Sequence, residues 1–202
     1  MARLLLSKSS LLQQRQQLAT YQRFLPSLEL KRQQLMQSVK ETEQAQAECL
    51  QRLTMLENRV AEQLPMLAIQ EIDLQGLVSL KSFERLRRNL AGVWVEELET
   101  VRFERAAIPL LARPHWVPVL QQWLEEAIRM QLQVEILASN LLLIHEALRK
   151  VTQRMNLFDK VLIPQTREHI RTIRIYLDDK AREAVVTSKI AKARQREQES
   201  GL

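Results

Sequence analysis

Three histidines, one cysteine and two pairs of adjacent carboxylates are the side chains here whose types could do chemistry. None is spaced for it. His115, His145 and His169 lie far apart. No histidine stands four residues from another, the helical spacing that turns two imidazoles onto one metal. They read as exposed helix or loop residues. Cys49 is the sole cysteine, so neither an intrachain disulfide nor a thiolate cluster can form, which fits a reducing compartment. It falls on an apolar stripe and reads as a small core residue, not a nucleophile. Neighbours in Asp178-Asp179 and Glu125-Glu126 point about 100° apart on a helix, so they do not converge as an acid and a base. Neither a P-loop nor a GxGxxG fingerprint is present, so no backbone cradle for phosphate is expected. The expectation is no catalytic residue, no metal site and no cofactor.

Charge offers a different chemistry. Formal net charge is +6, and the excess is uneven. Residues 1–35 carry six Lys or Arg against one Glu, and residues 180–202 carry six against three. Residues 36–60 carry three basic and four acidic side chains. Such ends are either solvated helix faces or a surface for an acidic partner, with nucleic acid the cruder alternative.

The elements that must present these charges are long helices. Glycine occurs three times, at 76, 92 and 201, and aromatics make up 4% of the chain. Leu, Gln, Glu, Arg and Lys dominate, a composition for helices rather than sheets. Residues 119–196 contain one proline, Pro164, and no glycine. A continuous helix over them would be roughly 120 Å long and would need a partner along its length. Thirteen positions in this stretch follow strict 3,4 spacing, all apolar: Leu120, Trp123, Ala127, Met130, Val134, Leu137, Leu141, Ile144, Leu148, Val151, Met155, Phe158 and Leu162. A sustained 3.5-residue repeat marks a coiled-coil seam. After Leu162 the seam shifts by one residue to Thr166, Ile170, Ile173 and Leu177, at Pro164. A local unwinding of the supercoil would absorb the shift. Beyond Lys180 the seam weakens to Ala184, Ser188 and Ala191.

The partner is the first helix, expected over residues 9–64 with Ser9 or Ser10 as its start. Its register runs Leu18, Tyr21, Leu25, Leu28, Arg32, Leu35, Val39, Thr42, Gln46, Cys49, Leu53, Leu56, Val60, Gln63 and Leu67. Pro26 removes one ladder hydrogen bond and predicts a kink. If the helices pair antiparallel with paired numbers totalling about 190, Pro26 faces Pro164 and residue 60 faces residue 130. The fold class is therefore all-α: a long antiparallel two-helix coiled coil of N- and C-terminal helices with a short helical and β-hairpin middle. The expected divisions are residues 1–64, 65–118 and 119–202.

The middle holds two of the three glycines and four of the six prolines. Residues 69–90 read as a helix broken by Gly76. Val93 with Val95 and Val101 with Phe103 alternate as in a small β-hairpin. A new helix is expected at Pro118, a favourable first-turn position. No window approaches 18 uncharged apolar residues, so no membrane-spanning segment is expected. Without a site, a long two-helix shaft with a compact middle is a structural or mechanical element.

The run Arg154, Asn156, Val161, Ile163, Pro164, Ile170, Ile173, Leu177, Arg182, Glu183, Lys189 and Lys192 resembles the D subunit of V-type ATPases. Ser7-Lys8-Ser9-Ser10-Leu11 with Leu30-Lys31-Arg32, and Asn89 with Gly92, Val93 and Val95, are similar to that family's first helix and to its turn into the middle region. Val185, Val186 and Ser188 stand where the family usually has two aromatics and a leucine. The resemblance implies a non-catalytic central-stalk rotor, cytoplasmic and peripheral to the membrane without inserting into it. It implies as partners the A and B subunits of the catalytic hexamer, the F subunit and the adaptor subunit on the membrane ring. Rotation would couple ATP hydrolysis or synthesis to H⁺ or Na⁺ transport. The basic residues Lys8, Arg15, Arg23, Arg171, Arg174, Lys189 and Lys192 are then expected to meet acidic loops of the hexamer. The seam residues Leu141, Ile144, Leu148, Val151, Met155, Phe158 and Leu162 hold the shaft together. The rival is a basic coiled-coil adaptor for nucleic acid or an anionic membrane surface. The basic stretches lack interleaved aromatics and Asp/Glu are mixed throughout, which argues against it.

Overall fold

The computed structural model describes residues 5–68, 76–106 and 115–199. Helix α1 spans Lys8–Gln63. Ser7 caps it, its hydroxyl accepting from the Ser10 amide at 3.2 Å, so the helix begins just before the expected Ser9 or Ser10. A short 3₁₀ turn, Pro65–Ala68, follows. Strands β1, Val78–Leu90, and β2, Val93–Arg105, form an antiparallel hairpin. Helix α2, Val117–Leu157, runs through a π-helical turn, Phe158–Leu162, into helix α3, Ile163–Glu199. Pro118 sits in the first turn of α2, where its missing N–H has no ladder partner to lose.

The expected hairpin is present in the middle of an otherwise mostly helical chain, but β1 lies where a helix was expected. Of the helix expected over 69–90, residues 78–90 are strand β1 and Gly76 and Leu77 form a turn leading into it; residues 69–75 lie outside the described residues. The hairpin is also longer than the alternation at 93–103 implied. Its turn is Ala91-Gly92, and both residues have positive φ, 49° and 85°. This is the handedness that matches strand twist in a two-residue turn. The Asn89 side-chain oxygen accepts from the Gly92 amide at 2.8 Å. Ala91 carries a Cβ in the left-handed region, a strain that glycine and asparagine tolerate better. Two bulges interrupt the ladder. Lys81 is an extra residue on β1, between the pairs Leu80–Phe103 and Ser82–Arg102. Glu99 is an extra residue on β2, between Thr100 and Leu98.

The chain divides into two compact units, Met1–Leu30 with Val151–Leu202 and Lys31–Lys150. In the first, Tyr21 and Phe158 meet edge to face with ring centroids 5.3 Å apart. Val151, Ile163, Thr166 and Ile173 are buried, Ile173 fully. The Tyr21–Phe158 pair sets a register in which paired numbers total 179. Pro26 is thus about 11 residues, or roughly 16 Å, from the level of Pro164. The two prolines do not face each other.

The one-residue shift of the seam has a covalent-geometry cause in this unit. The Ile163 amide donates to the Phe158 carbonyl, a five-residue step. A single π turn inserts one residue into the helical repeat and moves every later side chain around the axis. Pro164 follows at once. Its ring cannot accept the α-helical approach of the carbonyl four residues earlier, and the wider turn precedes it. The seam resumes at Thr166 and Ile173, both buried. The Thr166 hydroxyl donates to the Leu162 carbonyl at 2.6 Å.

In the second unit, Cys49 and Leu56 of α1 pack with Met130 of α2, flanked by Leu53, Trp123, Ala127 and Val134. Cys49 lies against Met130, so the expected opposition of residues 60 and 130 is off by three turns of α1. Leu64, Leu77, Val117 and Leu120 form a second cluster where the hairpin joins the helices. Every expected seam position from Leu120 to Leu162 is buried or half-buried. In α1 the same holds for the whole expected register except Gln63. An 18-residue window within Val117–Arg194 does reach a mean hydropathy of 1.3, enough by length and composition to cross a membrane. The sequence expectation missed it because such a window tolerates up to two charges.

Two outcomes follow. Ile144→Ala empties a site with no exposed surface and should lower unfolding free energy by about 2–5 kcal/mol, whereas Leu142→Ala, at a side chain 74% exposed, should change it by about 0.5 kcal/mol or less. Urea titrations of the two variants compare them. Ala91→Asn should raise stability by roughly 0.5–1 kcal/mol by relieving the left-handed alanine, read as an upward shift of the melting midpoint.

Candidate functional site

The structure leaves the chemistry-bearing residues apart. His115 and His145 are exposed and His169 is half-buried. His145 Nε2 stands 3.9 Å from a Glu43 carboxylate oxygen. No group of three metal-ligating side chains forms among the described residues. The Cys49 thiol is buried and donates to the Met130 carbonyl at 3.4 Å. Burial pushes its pKa up, which withdraws the reactive thiolate.

All seven basic residues expected to contact a partner, Lys8, Arg15, Arg23, Arg171, Arg174, Lys189 and Lys192, are exposed. Among the described residues none of them makes an ion pair. They do not form one patch. In the register of Tyr21 and Phe158, Lys8 is level with Arg171, while Arg15 and Arg23 fall near 164 and 156. Lys189 and Lys192 stand 18 residues beyond Arg171 and Arg174. Eighteen residues are five full turns of an α-helix, so the four share one face of α3. In that register Lys189 and Lys192 occupy the part of α3 that has passed the start of α1. From Asp178 to Arg194 every residue is exposed, including Val185, Val186 and Ile190.

The described middle of the chain presents the hairpin and the helix faces beside it. Arg85 pairs with Glu96 at 2.8 Å, Arg88 with Glu97 at 3.2 Å and Arg102 with Glu84 at 3.8 Å. The Arg85 guanidinium and, further off, Arg87 hold the Glu96 carboxyl below the usual range. At the hairpin's base Arg105 forks onto Glu125 of α2 through Nε and Nη2, the latter at 3.0 Å. That hydrogen-bonded fork lowers the Glu125 pKa. The buried Gln121 amide and the Ala106 backbone amide both donate to the Leu77 carbonyl, each at 3.1 Å. Leu53, Leu56, Val60, Leu64 and Leu67 with Leu120, Trp123 and Leu124 line an apolar groove of about 630 Å³.

The profile of the ATP synthase D-subunit family matches residues 10–193. The chain belongs to that family. Among curated relatives it is 31% identical over 194 residues to the V-type ATP synthase D subunit of Borreliella burgdorferi, covering 96% of this chain and 95% of the relative. It is 29% identical over 189 residues to the V-type ATP synthase D subunit of Chlamydia pneumoniae, covering 93% and 90%. It is 30% identical over 189 residues to that of Chlamydia muridarum, covering 93% of each chain. Each of these relatives is named as one component of a larger synthase.

Sequence reasoning missed Asn140 and Gln121, the buried polar side chains that tie the hairpin to α2. Asn140 was visible as a polar break in an apolar run, but nothing local named its partner.

Acid should test the Arg105–Glu125 fork. A carboxylate whose folded pKa is lowered adds stability above its unfolded pKa and loses it as pH falls through the folded value. Wild type should therefore lose more stability than Glu125→Gln when pH drops below the ordinary glutamate range. Urea midpoints across that range report the difference.

Proposed function

We propose that this chain is the central-stalk rotor subunit of a V-type ATP synthase or ATPase, non-catalytic itself. The family match over residues 10–193 carries the reading. The contacts of Tyr21 with Phe158 and of Cys49 with Met130, together with the buried 3,4 seam, support an antiparallel coiled coil of the terminal helices. A shaft of this kind transmits torque because its two strands are locked by packing along the seam. In this reading the ends of the pair sit in the hexamer of alternating A and B subunits. The middle, residues 65–118, carries the F subunit and the adaptor subunit on the membrane ring. Rotation couples ATP hydrolysis or synthesis to H⁺ or Na⁺ transport. The chain is cytoplasmic and peripheral to the membrane, without inserting into it or binding nucleic acid.

The exposed basic stripe of α3 is the surface proposed to meet the hexamer. Its residues make no ion pair among the described residues, so acidic loops would gain charge-assisted contacts there. Expressed with its neighbouring subunits, the chain should co-purify with the A, B and F subunits; recovery with nucleic acid or anionic vesicles alone would overturn the reading in favour of an adaptor. Reversing Arg171, Arg174, Lys189 and Lys192 to Glu together should lower coupled ATPase activity and change its salt dependence. Unchanged activity and salt dependence would remove the basic stripe from the interface.

A further inference from the structure

Asn140 makes an unusual contact for a helix residue. Its side-chain oxygen accepts from the Glu96 amide at 2.9 Å, and its side-chain nitrogen donates to the Glu96 carbonyl at 2.6 Å. The side-chain amide thus takes the place of a neighbouring strand on the outer edge of β2. Asn140 is 5% exposed, and Val95 beside the contact is 2% exposed. Asn140 is one of three buried polar side chains in the molecule's described part.

Away from this contact the hairpin stands off the helix. A cleft of about 600 Å³ opens between residues 96–101 of β2 and Arg129, Gln133, Ile136 and Leu137 of α2. Gln133 is two turns from Asn140, roughly 10 Å along the helix. Glu99, the bulge residue, is three residues from Glu96, also roughly 10 Å. The bulge therefore lies over the cleft. Strand backbone groups alternate between inner and outer edges. With Glu96 bonded outward, Leu98 also turns its amide and carbonyl outward, toward the cleft. The second bulge, at Lys81 on β1, lies in the same half of the ladder. Bulges leave a residue unpaired and weaken the ladder where they occur.

The base of the hairpin is fixed separately. Arg105 holds Glu125, Leu77 accepts from Gln121 and Ala106, and Arg129 lies over the Phe103 ring at 6.0 Å. The hairpin is thus anchored at its base, bulged in its middle and latched to α2 further out by the Asn140 amide, with Lys31 of α1 beside the turn at Gly92.

We propose that residues 85–98 of the hairpin form a flap hinged at the Lys81 and Glu99 bulges and latched to α2 by the Asn140 amide. Release of the latch swings the flap off the helix. It uncovers Val95 and Ile136 and frees the Glu96 edge of β2, an apolar patch beside an open strand edge. The base of the hairpin stays in place. The proposal rests on the geometry of this unit alone and stands whether or not the rotor reading does.

Hydrogen exchange read by mass spectrometry on the full chain tests it. Asn140→Leu removes both bonds. Asn140→Asp is nearly isosteric and keeps the acceptor, but sets a carboxylate against the Glu96 carbonyl and loses the donor. In both variants peptides covering residues 85–98 should exchange faster than wild type by about tenfold or more, the loss of two buried hydrogen bonds. Peptides covering residues 76–80 and 101–106 and those of α2 should keep wild-type rates. Unchanged exchange at residues 85–98 in Asn140→Asp would overturn the latch. A uniform increase through flap, base and helix would overturn the hinge. Should Asn140→Leu fail to fold, Asn140→Asp decides alone.

Discussion

Burial of one apolar stripe is the constraint on which the rest of this chain depends. A helix as long as residues 117–199 cannot hold its shape in water on backbone hydrogen bonds alone. It persists because Ile144 and Val151 are buried, each worth roughly 1.5–3 kcal/mol, and their seam neighbours are at least half-buried. The requirement dictates the composition. Glycine and interior β-branched runs are scarce, polar residues fill the outer faces, and α1 carries a matching stripe of its own. Where the matching stripe ends, the consequence is visible: the residues of α3 from Asp178 to Arg194 are all exposed. That stretch also carries Lys189 and Lys192, which make no ion pair among the described residues, so the exposed end of α3 is suited to an external partner.

The π turn shows how a stripe survives a proline. Pro164 could have broken the helix. Instead one wide turn before it takes up an extra residue, and the buried face is re-established through Thr166 and Ile173. Local backbone geometry and side-chain burial are satisfied together because the cost of one irregular turn is small against the burial of everything beyond it.

The hairpin is where local pattern misleads. Phe83, Leu86 and Leu90 stand at 3,4 spacing and imitate a helix, and the bulge at Lys81 breaks the period-two alternation that would have betrayed a strand. The pairing of β1 with β2 is decided by cross-strand partners such as Arg85 with Glu96, and by the turn at Ala91-Gly92. The candidate contact residues were legible individually, since arginines and lysines off the seam are exposed in any helix. Their grouping was not: which of Lys8, Arg15 and Arg23 lies level with Arg171 depends on the offset between two helices. Asn140 was illegible for a related reason, because its worth lies in a backbone 44 residues away in sequence.

The sequence by itself determined the two long helices, their inward faces, the one-residue slip at Pro164 and the family. All of these are written in short-range periodicity or in residue type. The tertiary structure alone decided the helix offset, which placed Cys49 rather than residue 60 against Met130, and the strand identity of Val78–Leu90. It alone decided the clasp of Asn140 on Glu96. A heptad repeat is nearly invariant to sliding by one repeat, so the stripe says that a partner exists without saying how far along it lies. Only the fit of particular side chains, a tyrosine edge on a phenylalanine or an amide on a strand, breaks that degeneracy.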